Sequence, residues 1–244
     1  MYDDQELPFE PLEIVGFLKR ELELKQLYQK LSYEKIIKSS AQEYNLSIAP
    51  EEIQEQIYLI RQQEGLDNTS DMSSWLAEKM SDVQAWRAGI HNHLLARKLA
   101  QHLFEHSVET FFNQHAADFD RAIFYRIVVP YERTAQELFY QLTENGMSFY
   151  EAAHFYDIDE QRRLQCGYEG KQYRFHLEPE IAEFIFNAQL DEVLGPFKQS
   201  DVAYNLLLVE EITPAQLTPE IHEIILNQMF DEWLFNEFRL YITS

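Results

Sequence analysis

The side chains able to do chemistry are few and scattered. His102 and His106 stand four apart, a spacing that puts two imidazoles on one face of a helix, where they could share a metal ion. Zinc needs one or two more ligands, and His91 and His93 lie several turns away, so solvated or capping histidines are the ordinary reading and no metal is expected. Cys166 and His176 have the residue types of a nucleophile and its base, but no oxyanion signature accompanies them and hydrolase chemistry is set aside. No Gly-rich loop is placed to cradle a phosphate. Cys166 is the one cysteine, which excludes an intrachain disulfide.

The elements that would position such groups are mostly helical. Of 244 residues, 45% are apolar and 14% aromatic, richer in core-formers than a disordered chain. Seven Gly and eight Pro are few for an all-β chain with its frequent special turns. The formal charge of −22 disfavours nucleic acid, whose phosphates need clustered Lys and Arg. It reads either as solubility and self-avoidance or as attraction to basic clients. No basic amphipathic segment and no run of about 18 apolar residues occurs, so membrane insertion is not expected. The opening MYDDQELPFE lacks the basic start and apolar run of a secretory signal. A cytoplasmic location is expected, with a mature form lacking its leader as the alternative.

Apolar residues recur at helical spacing from Leu12 to about Leu46, and a second helix starts at Pro50 and ends at Gly65. Thr69-Ser70-Asp71 caps a third, with Trp75, Leu76 and Met80 on its buried side. Ser81-Asp82 caps a fourth through Phe104, and Val108, Phe111 and Phe112 lie in a short last one. Trp75, Trp86 and Phe104 read as core packing or as a groove for unfolded segments. The period changes near residue 120. Residues 122–129 are β-branched and aromatic, as in a strand, with Pro130 after them. Helical spacing returns over 133–145, stopping at Asn145-Gly146, then over 148–156 and 179–188. Residues 164–176 read as mixed and extended, while 193–197 and Val202–Ile212 form a last strand pair. The segment 220–241 is amphipathic and expected to pack back on the N-terminal helices. The fold class is therefore α+β and mostly helical: a helical body over 1–119, a βα sandwich over 120–212, and a helix in 213–244 that completes the body.

These residues resemble a parvulin-type peptidyl-prolyl isomerase domain carried by a SurA-like helical body. The opening strand matches at Arg126-Ile127-Val128-Val129, the next turn at Gly146-Met147-Ser148-Phe149 with Ala152-Ala153. Pro179-Glu180-Ile181, Phe186 and Val193-Leu194-Gly195-Pro196 follow in order, then Ala203-Tyr204-Asn205-Leu206-Leu207-Leu208-Val209. Both core histidines of the family are replaced, by Arg126 and Asn205, and a usual Gly is Asp191. A Gly-rich hairpin is reduced to Gln165-Cys166-Gly167-Tyr168.

The resemblance implies an apolar slot for a proline ring at Leu177, Phe186, Ile181 and Tyr204, with Arg126 and Asn205 on its floor and an acid at Asp157 or Asp159. Isomerisation breaks no bond. Its barrier of about 20 kcal/mol is lost amide resonance, so desolvation and a few oriented hydrogen bonds suffice and no cofactor is implied. Arg126 is a permanent cation with donors only, and buried it would call for Asp157 or Asp159 as counter-charge. Two functions follow from the resemblance: an isomerase acting as a foldase on unfolded or proline-containing polypeptides, or a non-catalytic chaperone serving peptide maturation or export. A homodimer, with long helices exchanged between copies, stays open.

Overall fold

The computed structural model describes residues 9–144, 146–200 and 203–242, except the side chains at 199 and 200. The expected helix stop at Asn145, the strand start at Val202 and most of MYDDQELPFE lie outside them. In chain order the elements are α1 (Pro11–Arg20), α2 (Leu24–Glu43), α3 (Pro50–Glu64), α4 (Thr69–Glu78), α5 (Val83–Phe104), α6 (Val108–His115), β1 (Arg121–Val129), α7 (Glu132–Thr143), α8 (Phe149–Tyr156), α9 (Glu160–Leu164), β2 (Tyr168–Tyr173), α10 (Pro179–Phe186), β3 (Val193–Ser200), β4 (Ala203–Thr213) and α11 (Pro219–Tyr241). They divide into two compact units. One runs to Val108 and resumes at Glu223; the other is Glu109–His222.

Among the described residues the regular elements of the first unit are all helices. The Asn68 carboxamide accepts from Asp71 N at 2.9 Å and the Asp82 carboxylate from Ala85 N at 2.8 Å, so α4 and α5 start where orphan donors find a side-chain oxygen. Gly65, at φ 67°, ends α3 in the left-handed region that favours glycine. The pattern expected to run unbroken from Leu12 is interrupted at Leu22, which has φ 62° and is 85% exposed. Glu23 N donates back to Leu18 O at 2.9 Å and closes α1. Apolar spacing continues across such a turn and cannot report it. Met80, expected on the buried side of α4, is 76% exposed, because α4 stops at Glu78 and Met80 turns out at φ 52°. Leu76 stays buried. Trp75 and Trp86 pack edge to face, 5.7 Å apart. Ile225, Leu226, Phe230, Leu234 and Phe238 bury one side of α11, and Phe238 meets Tyr33 of α2 edge-on at 5.7 Å. The C-terminal helix thus packs on the N-terminal body.

The second unit holds a four-stranded antiparallel sheet in the order β2-β1-β4-β3. Side chains alternate between its faces. Ile127, Val129, Leu206 and Leu208 face one way and pack with Leu138 and Leu142 of α7 and Phe149, Ala152 and Ala153 of α8. Ala122, Phe124, Leu207 and Val209 face the other way, onto Ile181 and Ile185 of α10. Residues just before β1 join this unit: the Phe119 ring lies 6.0 Å from Phe112 and 5.5 Å from Phe175. The stretch expected to be mixed and extended over 164–176 is instead the end of α9, then β2 and a short 3-10 turn at Arg174–His176. Asp159 makes the difference, since its carboxylate caps α9 by accepting from Arg162 N at 2.9 Å.

Candidate functional site

Strand alternation puts Arg126 of β1 and Asn205 of β4 on the face covered by α10. Arg126 Nε donates to Asn205 Oδ1 at 2.7 Å, and Asn205 is fully buried, at 0% exposure. Burial pulls the Arg126 guanidinium below its usual range, while Glu169 first, then Glu178 and Asp157, favour its charge and Arg162 opposes it. It remains a cation, because an arginine starts so far above neutral pH.

Asp157 is 2% exposed and its carboxylate is densely engaged. Oδ2 accepts from Val128 N at 2.9 Å and from Arg162 Nε at 3.0 Å; Oδ1 accepts from Asp159 N at 2.7 Å and from Arg162 Nη2 at 3.3 Å. Burial works against the Arg162 charge, but the Asp157 bonds outweigh it and hold that guanidinium above its usual range. Arg162 Nη1 also comes within 3.6 Å of Glu169 Oε1. Expectation and structure differ here. Asp157, expected with Asp159 as the alternative counter-charge of Arg126, is gripped by Arg162, and among the described residues the carboxylate acting most strongly on Arg126 is Glu169. Asp159 is exposed; its bond from Arg162 N, chiefly, holds its carboxyl below the ordinary range.

Two glycines allow this arrangement. Gly167 has φ +84°, its carbonyl accepts from Arg126 N at 2.8 Å, and a Cβ there would stand 2.8 Å from Arg126 O and 3.0 Å from the Ala153 Cβ. Gly195, at φ +119°, brings β3 so close that a Cβ would stand 2.7 Å from Asn205 O.

The expected apolar wall comes together in part. Ile181 is 6% exposed and belongs to the core under α10; Leu177 and Phe186 are half-buried against it. The Arg174 guanidinium carbon lies 4.3 Å from the Phe186 ring centre, in cation–π contact. Tyr204 does not join them. It packs with the Ile127–Leu206 cluster on the opposite face, as its place next to Asn205 in a strand requires. Arg162, Glu169 and Arg174 were not singled out from sequence. The readable signal was Asp157-Ile158-Asp159 running into a helix start, which puts Arg162 within reach of the first acid.

The other candidates sit elsewhere. His102 packs on Tyr44 at 4.6 Å, while His106 falls in a 3-10 turn beyond the end of α5. Among the described residues no group of three or more His, Cys, Asp or Glu could hold a metal ion. Cys166 turns at φ 52°, and His176 packs on Phe175 at 4.2 Å.

No family model matches the chain. The foldase protein PrsA of Halalkalibacterium halodurans is 25% identical over 194 residues, which cover 75% of this chain and 58% of that protein. The chain therefore spans less than two thirds of that curated relative's length. Among solved structures, peptidylprolyl isomerase PrsA from Bacillus anthracis has a TM-score of 0.49 at 16% identity, covering 86% of this chain and 89% of that one. A SurA-like chaperone structure from Campylobacter jejuni, described with the virulence factor PEB4 and the periplasmic protein Cj1289, has a TM-score of 0.38 at 18% identity, covering 96% and 92%. These relatives correct the cytoplasmic expectation, for they are extracytoplasmic proteins. That expectation leaned on MYDDQELPFE, and neither an acidic opening segment nor a single cysteine is tied to one compartment. The ordered match from Arg126 to Val209 and the sheet those residues build thus go with a sequence similarity to the foldase protein PrsA, and the findings support a parvulin-type, SurA-like relationship for this chain.

Proposed function

We propose that the chain is a foldase-chaperone for unfolded or precursor polypeptides, whose parvulin-like unit holds proline-containing segments while accelerating their isomerisation little beyond the uncatalysed rate. In this reading residues 120–212 supply the slot, and the helical body, 1–119 with 213–244, holds the flanking client chain. Leu177, Ile181 and Phe186 meet the proline ring. Arg126 and Asn205 form the polar floor, Asp157 fixes its edge, and Asp159 keeps α9 and Arg162 in place.

The 2.7 Å bond from Arg126 to Asn205, where the family has two imidazoles, carries the proposal. Two neutral imidazoles can exchange donor and acceptor roles as the imide twists. Here Nε is committed to Asn205 Oδ1, and a guanidinium, a permanent cation with donors only, has no acceptor to exchange for it as the imide twists. Contacts from such donors strengthen ground-state binding as much as the transition state, and so raise affinity more than rate. No bond is broken, and the reading involves no cofactor.

Neither nucleic acid nor membrane insertion belongs to this reading, and among the described residues no helix is long and apolar enough to cross a membrane. A homodimer joined through the long helices does belong to it, and sedimentation would read its mass. The functional test pairs suppression of aggregation of a heat-unfolded protein with cis–trans exchange of an Ala-Pro peptide followed by NMR. Suppression with an exchange lifetime still near the uncatalysed tens of seconds is expected. Absence of suppression, or fast turnover, would overturn it.

A further inference from the structure

The helix α5 departs from the rest of the chain in charge. The protein carries 42 Asp and Glu, yet Val83–Phe104 contains none, while it carries Arg87, His91, His93, Arg97, Lys98 and His102. Ile90, His93, Leu94 and Arg97 follow the i, i+3, i+4, i+7 spacing of one helix stripe. With Gln56 and Ile60 of α3 they line a cleft of about 240 Å³. Its floor is apolar, with Ile90 and Leu94 buried, and its rim carries the exposed side chains of His93 and Arg97.

Size limits the occupant. The cleft is smaller than the roughly 300–1,000 Å³ of small-molecule sites, and larger than the cavity of about 150 Å³ that takes up one benzene. One aliphatic or aromatic side chain fits. Charge narrows it further. On the α3 side Glu52 is already held by Lys98 at 3.1 Å and by Ala49 N at 2.8 Å, while Glu51 and Glu55 are exposed to solvent. Arg97, which also attracts Glu52, therefore supplies the fixed positive charge of the rim, with the neutral imidazole of His93 beside it. The net charge of the whole chain acts at long range, and at physiological ionic strength it is screened over about 8 Å, leaving these local groups to decide what seats.

We propose that the α3–α5 cleft is a docking site for a client segment in which a large apolar side chain is followed by an acidic residue. The apolar side chain seats on Ile60, Ile90 and Leu94, and the carboxylate meets Arg97. The source of the segment, an unfolded polypeptide, rests on the foldase reading above.

Fluorescent ten-residue peptides of Gly and Ser bearing Leu-Asp, Leu-Lys or Ser-Asp at the centre test this by anisotropy with the full chain. Leu-Asp is expected to bind about tenfold tighter than either of the others. Arg97→Glu should reverse the preference between Leu-Asp and Leu-Lys, Arg97→Gln should remove it, and Ile60→Trp, which fills the cleft, should abolish binding of both. Far-ultraviolet circular dichroism checks that the helices persist, and the exposed site of Arg97 keeps its variants foldable. Equal affinity for the three peptides, tighter binding of Leu-Lys as for a basic client, or an unchanged preference in Arg97→Glu overturns the proposal. Aggregation suppression by the same proteins separates the two readings. Suppression without Leu-Asp preference rejects the cleft and leaves the foldase; preference without suppression does the reverse.

Discussion

The two faces of the sheet are built from the same strands by different means. Toward α7 and α8, Ile127, Val129, Leu206 and their buried neighbours make an apolar contact with two tyrosines at its margin, Tyr125 and Tyr204, and Ile127 is 0% exposed. Toward α10, one residue along in each strand, the sheet carries Arg126 and Asn205 beside Phe124 and Leu207, with the Asp157–Arg162 pair at the edge. The first face needs only packing. The second buries polar and charged groups whose desolvation costs several kcal/mol unless each finds partners, so its geometry is tightly prescribed. In the proposed reading this face is the slot that grips an imide.

Substitutions can break this contrast in order of size. Asp157→Ala removes the group that Val128, Asp159 and Arg162 all bond, and should cost about 3–5 kcal/mol in urea unfolding. Ile127→Ala on the apolar face should cost about 2–5 kcal/mol. Gly167→Ala, strained at φ +84° and blocked by Arg126 O, should cost about 1–3 kcal/mol. Arg126→Met with Asn205→Leu should change stability by less than about 1.5 kcal/mol while client binding is lost, since apolar replacement of a whole buried polar pair is often neutral. A loss of stability as large as that from Asp157→Ala would instead make the pair a structural staple.

The last effect is in pH, and it shows only in alkali. Burial, and then its bond to Glu210 at 2.9 Å, push Tyr125 up to about 12. The unfolded phenol ionises near 10. Folding thus opposes ionisation, so this stability is complete below pH 10 and is lost as pH rises from there through about 12. Phenolate absorbance should show a late-titrating tyrosine that is absent in Tyr125→Phe.

Much of the fold was legible, because alternation in residues 122–129 and helical periods elsewhere are local signals. The break at Leu22 was not, since a single left-handed residue leaves apolar spacing intact. For the site, Arg126 and Asn205 could be paired through the family pattern. Their counter-charge could not, because whether Asp157 meets Arg126 or Arg162 depends on where Asp159 starts α9. Tyr204 shows the same limit: proximity to Asn205 in sequence set it on the other side of the sheet.

Exchange NMR on an Ala-Pro peptide, with the natural chain and with Arg126→His/Asn205→His, bears most directly on the donor-only floor. The natural chain should bind the peptide while leaving exchange near its uncatalysed rate, and the paired histidines should accelerate it at least about tenfold, close to 1.4 kcal/mol off the barrier. Rapid exchange in the natural chain, or no gain from restoring both imidazoles, would contradict the account.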